Sequence, residues 1–581
     1  MANDRGDRRS YRPLLTPHDS EGEAVGAEPR RRKFWGWGYE DEQPPPSEVR
    51  RIAARARGLL GFGGDHIDEP ARIADLELRR ARPLAPPARL AALCRDDPYE
   101  RAVHAMGKSY KDVVRGFRGE MAHPPDLVAF PRDDDEIAQL LEWCARTGVA
   151  VVPYGGGTSV VGGVEPRVDD AYRGTLSLDL RNISGVVDMD RVSQAVRIRA
   201  GTLLPEAEAL LKPFGMSLRH YPQSYTFATV GGCLATRAAG HYATGPTRID
   251  DRVESLRTVT PEGVWESRRL PASGAGPSPD RLLLGSEGTL GVITEAWLRV
   301  QSRPVYRAST AVEFTTFAEG ARAARAIVRL GLRPAQCRLL DEGEAELTGA
   351  GDGSCAVLLL GFESAHLPQE SDLERAVRCC LDFAGRPTGR PRIRGPHLTV
   401  PQPTPPNEPE ALWRDGFLAA PYLRDALVAA GILVETFETA ITWDRFAEFE
   451  TEVGRATRKA AIDVCGAAVV HRRLTHVYPD GAAVYFTVLA PARPGSESAQ
   501  WDAVKAAACD IVLRAGGTVT HHHAVGRDHR PWYDRQRPDL FAAALHAAKR
   551  AVDPHAVLNP GVLIDAHPAG AAPGHTPSGA A

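Results

Sequence analysis

The sequence predicts an α+β protein of two domains, and three observations lead there. Its 581 residues exceed what one domain holds, at roughly 100–200 residues per domain. A strand, a helix and a second strand follow one another from residue 125, and a new run of alternating strands and helices begins after residue 303. The segments outside these blocks, 1–50 and 564–581, are rich in Arg, Pro, Ala and Gly and are expected to be mostly disordered. Charge adds an exclusion. With 71 basic against 74 acidic residues and a formal charge of −3, no overall field recruits nucleic acid or an anionic membrane, so any anion has to be met locally. All but seven of the basic residues are Arg, which reads as compositional drift, with a bias toward bidentate anion sites as the lesser alternative.

Taken in order, the N-terminal extension holds one island, Phe34-Trp35-Gly36-Trp37-Gly38-Tyr39, that is too aromatic for a linker. It is expected to pack on the folded body as an anchor rather than as a cofactor contact. Residues 51–121 form a helical region. The first domain, 122–303, opens with an apolar strand at 125–131. An acidic first turn (Asp133-Asp134-Asp135-Glu136) and Ile137, Leu140, Leu141, Trp143 and Cys144 at helical spacing then predict a helix that Gly148 ends. Val149-Ala150-Val151-Val152-Pro153 is a buried strand, and 175–180, 195–200 and 204–211 read as two strands and a helix. The second domain, 304–563, begins with a strand at 309–314, a helix at 317–330 and a strand at 355–362. The Pro-rich 386–409 reads as loop, and mixed elements resume beyond it. Nine scattered cysteines without a C-x-x-C pair fit a reducing compartment. No apolar run approaches the ~18 residues of a membrane span, so a cytoplasmic protein is expected.

Three glycine-rich segments carry chemistry. Pro153-Tyr154-Gly155-Gly156-Gly157-Thr158-Ser159 allows successive backbone N–H groups to converge on an anion such as a pyrophosphate, though alone it is equally a ligand-free turn. It matches neither the P-loop nor the G-x-G-x-x-G fingerprint. Gln223, Ser224, Thr226, Thr229, Gly231 and Gly232 form a second such segment, followed by Thr236, Arg237 and Ala238. Glu287, Gly288, Thr289, Leu290, Gly291, Val292 and Ile293 form a third. Together, in this order, they are a specific constellation.

On these segments the chain resembles the vanillyl-alcohol-oxidase, or PCMH-type, flavoprotein family, and within it the ether-lipid-synthesising branch. The resemblance implies a PCMH-type two-subdomain FAD-binding domain, a mixed α/β cap domain for substrate and a C-terminal helical segment. It places FAD on all the residues just named. Relatives that attach flavin covalently at this loop carry His where Thr158 stands, so non-covalent FAD is expected, with a His from the second domain left open.

The cap domain separates the branches. Hydroxy-acid dehydrogenases of the family carry a His-x-Gly-Asp-Gly-Asn-x-His metal segment. Here His476 begins the corresponding stretch but Tyr485 stands near the place of the second His, so no metal is expected from a local His pair. His521-His522-His523 resembles the ether-lipid branch. A chance run or a metal tract is the alternative reading. On a strand, one or two of these imidazoles would face the flavin as proton carriers. Arg424, in Leu423-Arg424-Asp425, resembles an arginine that holds a substrate phosphate, and Arg473 is a weaker anion candidate.

The activity so implied is exchange of the acyl chain of acyl-dihydroxyacetone phosphate for a fatty alcohol, without net redox change. Tyr485 and the His cluster would be catalytic, and Arg424 would clamp the phosphate. An FAD-linked oxidase or dehydrogenase of a 2-hydroxy acid or small alcohol is the alternative. Lipid substrates further imply peripheral association with membrane, and a homodimer is expected. Ala239 and Arg527 depart from the branch pattern, which leaves an altered substrate open.

Overall fold

The computed structural model describes residues 30–565 apart from 65, 397 and 399–408; the expected disorder of residues 1–29 and 566–581 lies outside them. The predicted strand–helix–strand unit is present as Leu127–Ala129, Asp134–Thr147 and Val149–Tyr154. Asp133 caps the helix by accepting the Glu136 N–H, three acidic residues complement the dipole in its first turn, and Gly148 closes it at φ 67°. Gly174–Asp179 lies between the two strands and parallel to both. A second subdomain is an antiparallel five-stranded sheet in the order Val186–Asp190, Ala195–Arg199, Val292–Arg299, Val253–Thr260, Gly263–Glu266.

The C-terminal end of the chain returns to the first sheet. The Val151 N–H donates to the Val557 carbonyl at 2.8 Å and the Asn559 N–H donates to Val151 at 2.8 Å. The buried Lys549 ammonium donates to the carbonyls of Thr289 and Leu558 at 2.7 and 2.8 Å.

The cap is an eight-stranded antiparallel sheet in which Gln336–Leu340, Val469–Val477 and Gly481–Pro491 are neighbours and Ile432–Thr442 forms the edge beside Gly481–Pro491. Its two faces have different duties because side chains alternate along each strand. Leu339, Leu358, Leu474, Phe437 and Phe486 join the core formed with the helices Phe317–Arg329, Glu370–Leu381 and Phe446–Cys465. On the other face, Glu438, Tyr485, Arg473 and Leu340 stand directly opposite one another across four strands, forming one row.

Two expectations are corrected. The 386–409 stretch carries short strands at Arg386–Pro387 and Arg392–Arg394, both paired with Tyr306–Phe314 and so ordered by a sheet edge that composition does not reveal. His521-His522-His523 are not on a strand; they form a series of bends, because their N–H groups bind a side chain instead of a neighbouring strand. The aromatic island does pack: Phe34, Trp35 and Trp37 are buried, and Trp35 meets Phe117 edge-on at 5.2 Å. All nine cysteines are free.

Candidate active site

One cavity runs between the two domains, and most of the sequence-predicted residues line it. From the first domain come Pro153 to Ser159, Gln223, Ser224, Thr229, Gly231, Gly232, Thr236, Ala238, Glu287, Gly288, Gly291, Val292 and Ile293. From the cap come Arg424, Arg473, Tyr485, His522 and His523.

The glycines are required by close approach. A Cβ on Gly155 would overlap the Thr229 hydroxyl, one on Gly156 the Phe227 carbonyl oxygen, and one on Gly157, at φ 68°, the Tyr154 hydroxyl. The first and second glycine-rich segments thus interlock, leaving a cradle whose rim is backbone. Four of the predicted flavin residues stand off the cavity. Thr226 is exposed, Arg237 turns to Asp250 at 3.0 Å, and Thr289 is buried with its hydroxyl on the Ser286 carbonyl. Leu290 belongs to the core of this domain.

The histidine loop is built on two buried carboxylates from different domains. In the cap, one Glu438 oxygen accepts the N–H groups of His522 and His523 at 2.7 and 2.6 Å and the Thr520 hydroxyl at 2.8 Å, and the other accepts the His521 N–H. In the first domain, Glu287 accepts the N–H groups of Val525 and Gly526 at 2.9 and 2.8 Å. Ala524, between the two sets, adopts φ 72°.

Burial would raise the Glu438 carboxyl, but the three imidazoles and the loop amides outweigh it and hold the group well below its usual range. Glu287 lacks such partners, and burial lifts it to about 7 against the pull of its two amides. The histidines respond to the same desolvation. Burial lowers His521 to about 4 and pushes His522 well below 6.5, with Glu438 opposing in both cases; His523 moves the same way. They are therefore neutral at pH 7 and can accept a proton. His521 turns away from the cavity: its Nε2 lies 2.9 Å from the Tyr478 hydroxyl, and its ring packs 4.9 Å from that of His476.

A bulge between Leu474 and His476 aims both Thr475 and His476 at the cavity. As a result His476, His521 and His522 offer ring nitrogens within 4.8 Å of one another, as do Glu438, His522 and His523 with their ligand atoms. Both sets are compact enough for a metal ion. Tyr485 leaves the strand pair without a second imidazole for His476, and the loop supplies His521 and His522 instead.

Three guanidinium groups line the same cavity. Arg473 pairs with Glu344 and lies 3.8 Å from the Tyr485 ring centre. Arg424 donates to the Lys108 carbonyl at 2.8 Å, while its Nε is buried without a partner. Arg338, which sequence reading did not single out, is fully buried over Trp413 at 4.2 Å. Burial lowers it to about 9, and its Nε also lacks a partner. Such cations suit a multiply charged anion.

Residues 125–267 match the family described as FAD binding domain, and residues 303–563 match FAD linked oxidases, C-terminal domain. The alkyldihydroxyacetonephosphate synthase of Dictyostelium discoideum is 30% identical over 530 residues, covering 90% of this chain and 85% of that protein. The chain belongs to the alkyldihydroxyacetonephosphate synthase family. The Trypanosoma brucei brucei synthase is 28% identical and covers 81% of this chain and 78% of its own. A solved structure of an alkyldihydroxyacetonephosphate synthase shares the fold at TM-score 0.73 and 24% identity, over 91% of this chain and 98% of that one. This synthase-family chain is an FAD protein of PCMH type, and its interlocked glycine cradle fits a dinucleotide diphosphate. Among the described residues no helix is long and apolar enough to cross a membrane.

Proposed function

We propose that this chain is an FAD-dependent synthase that exchanges the acyl chain of acyl-dihydroxyacetone phosphate for a long-chain alcohol, giving the alkyl ether and a fatty acid. The observation that carries this reading is the convergence of Arg424, Arg473 and Arg338 with neutral His522 and His523 on one cavity walled by the flavin cradle. The reaction breaks the C1–O bond to the acid and forms a C1–O bond to the alcohol, so it has no net oxidation. FAD, when bound, supplies an electron-accepting ring that is returned in its starting state.

The chain's own residues supply the rest. Arg424 and Arg338, each with an unsatisfied Nε, hold the phosphate. His522 or His523 takes the C1 proton, and Tyr485, held against the Arg473 guanidinium, borders the reacting carbon. Pro153 to Ser159, Gln223, Ser224, Thr229, Glu287, Gly288 and Gly291 to Ile293 bind FAD, without a covalent link. A homodimer with peripheral membrane association belongs to this reading; light scattering and sedimentation with liposomes test each.

A second reading, an FAD-linked dehydrogenase of a 2-hydroxy acid, is favoured by the compact His476, His521 and His522 donor set. One experiment separates the two. The purified flavoprotein is offered acyl-dihydroxyacetone phosphate with hexadecanol, or a panel of 2-hydroxy acids. Ether formation without consumption of an electron acceptor supports the synthase. Lasting flavin bleaching by a hydroxy acid, with acceptor turnover and no ether, overturns it.

A further inference from the structure

The aromatic island does more than anchor. It closes on itself, with the Lys33 N–H donating to Gly38 at 3.1 Å and Arg32 bridged to Tyr39, and it lies against the back of the glycine cradle. Arg32 donates to the Gly156 carbonyl at 3.0 Å, and its guanidinium sits 4.7 Å from the Phe227 ring centre. The cradle segment 153–163 contains no charged residue. A diphosphate seated there would meet only backbone and hydroxyl dipoles of this segment, unless cations stand behind them.

Behind them stand Arg32, Lys33 and Lys108. Lys33 is neutralised by the buried Asp425 at 3.4 Å, which also accepts the Trp37 N–H at 3.1 Å. Among the described residues neither Arg32 nor Lys108 makes an ion pair with a carboxylate. Lys108 is half-buried, and its ammonium donates to the carbonyls of Phe34 at 3.1 Å and Lys33 at 3.4 Å in the aromatic island, which straps the cradle. Its own N–H donates to the Ser159 carbonyl at 2.6 Å, and its carbonyl receives Arg424. A small void between strap and cradle is lined by Arg32, Lys33, Trp37, Lys108, Gly156 and Thr158. Two half-buried positive charges with no carboxylate at ion-pair distance, Lys108 feeling Asp425 and Asp112 only from further off, are costly against a carbonyl-bearing turn and become favourable once an anion is bound in front of them.

We propose that Arg32 and Lys108 are positioning residues for FAD: the N-terminal strap supplies the positive charge that the glycine turn lacks and holds that turn in place. The residues lie outside both family-matched segments, 125–267 and 303–563.

The test measures FAD affinity by flavin fluorescence on apoprotein freed of cofactor, for wild type, Arg32→Gln, Arg32→Lys and Lys108→Met. Apoprotein melting temperature is recorded alongside. A charge-assisted hydrogen bond predicts about tenfold weaker FAD binding in Arg32→Gln, largely restored in Arg32→Lys. The dependence of affinity on KCl should also be shallower in Arg32→Gln than in wild type. Lys108→Met should weaken FAD further. Unchanged affinity in Arg32→Gln overturns the proposal. So does equal loss in Gln and Lys variants, or loss that only tracks a lower apoprotein melting temperature, since either outcome makes the strap a packing element alone. If Lys108→Met does not fold, the Arg32 pair still decides.

Discussion

Glu438 sits 1% exposed at the end of the row Glu438, Tyr485, Arg473, and its charge is held by the three neighbouring imidazoles together with the loop amides. That arrangement makes it a positioning residue for His522 and His523. Its negative charge opposes the burial that lowers both imidazoles, so Glu438→Gln should lower them further. The acid limb of the pH–rate profile, where the neutral base is lost, then moves to lower pH, while a purely structural loss would lower the rate at all pH values alike. At the other end of the cavity, Arg424→Ala should raise KM for the phosphorylated substrate by roughly 10–100-fold with flavin content intact; loss of flavin instead would make Arg424 structural. These residues differ in legibility. Arg424 and Tyr485 were readable because local motifs flank them. Glu438 carries no local signal in the sequence, because its partners His521, His522 and His523 lie far along the chain. Arg338 was hidden among many arginines, and only its burial beside Trp413 distinguishes it.

Among the elements, the glycine turn is the one whose sequence and geometry agree most closely. Gly156→Ala places a methyl on the Phe227 carbonyl, which belongs to backbone and cannot swing aside. The variant should purify with little flavin, read as the ratio of flavin to protein absorbance, while its far-ultraviolet circular dichroism stays close to wild type. Turns and the strand–helix–strand unit were legible because the signals that form them, glycines, caps and apolar spacing, act within a few residues. The histidine loop was not. Three consecutive imidazoles carry no local rule that says strand or bend, and the choice is made by Glu438 and Glu287 from outside the segment. Thr226, Arg237, Thr289 and Leu290 show the same limit at finer grain. A motif names a stretch of chain, but which of its side chains face a cavity depends on the turn's φ angles and on what packs behind.

For the molecule as a whole, the decisive contacts cross between domains. The histidine loop is fastened to Glu287 on one side and Glu438 on the other, and Asn559 donates to the carbonyls of both Gly163 and Glu287. Neither domain can open without exposing buried polar groups of the other, at about 1–3 kcal/mol for each left unsatisfied. Denaturant titrations followed by flavin fluorescence, tryptophan fluorescence and activity should therefore share one midpoint; separate midpoints would show the domains to be independent. The return of Val557 to Asn559 onto Val151, with Lys549 buried beneath Thr289, has a consequence for biosynthesis. The first domain borrows an edge from residues that follow the whole cap in the chain, so it cannot be completed before the cap has been translated. Cofactor capture therefore follows synthesis of the cap, and a chain that stops short of Lys549 leaves the flavin domain unfinished even though every residue of 122–303 is present.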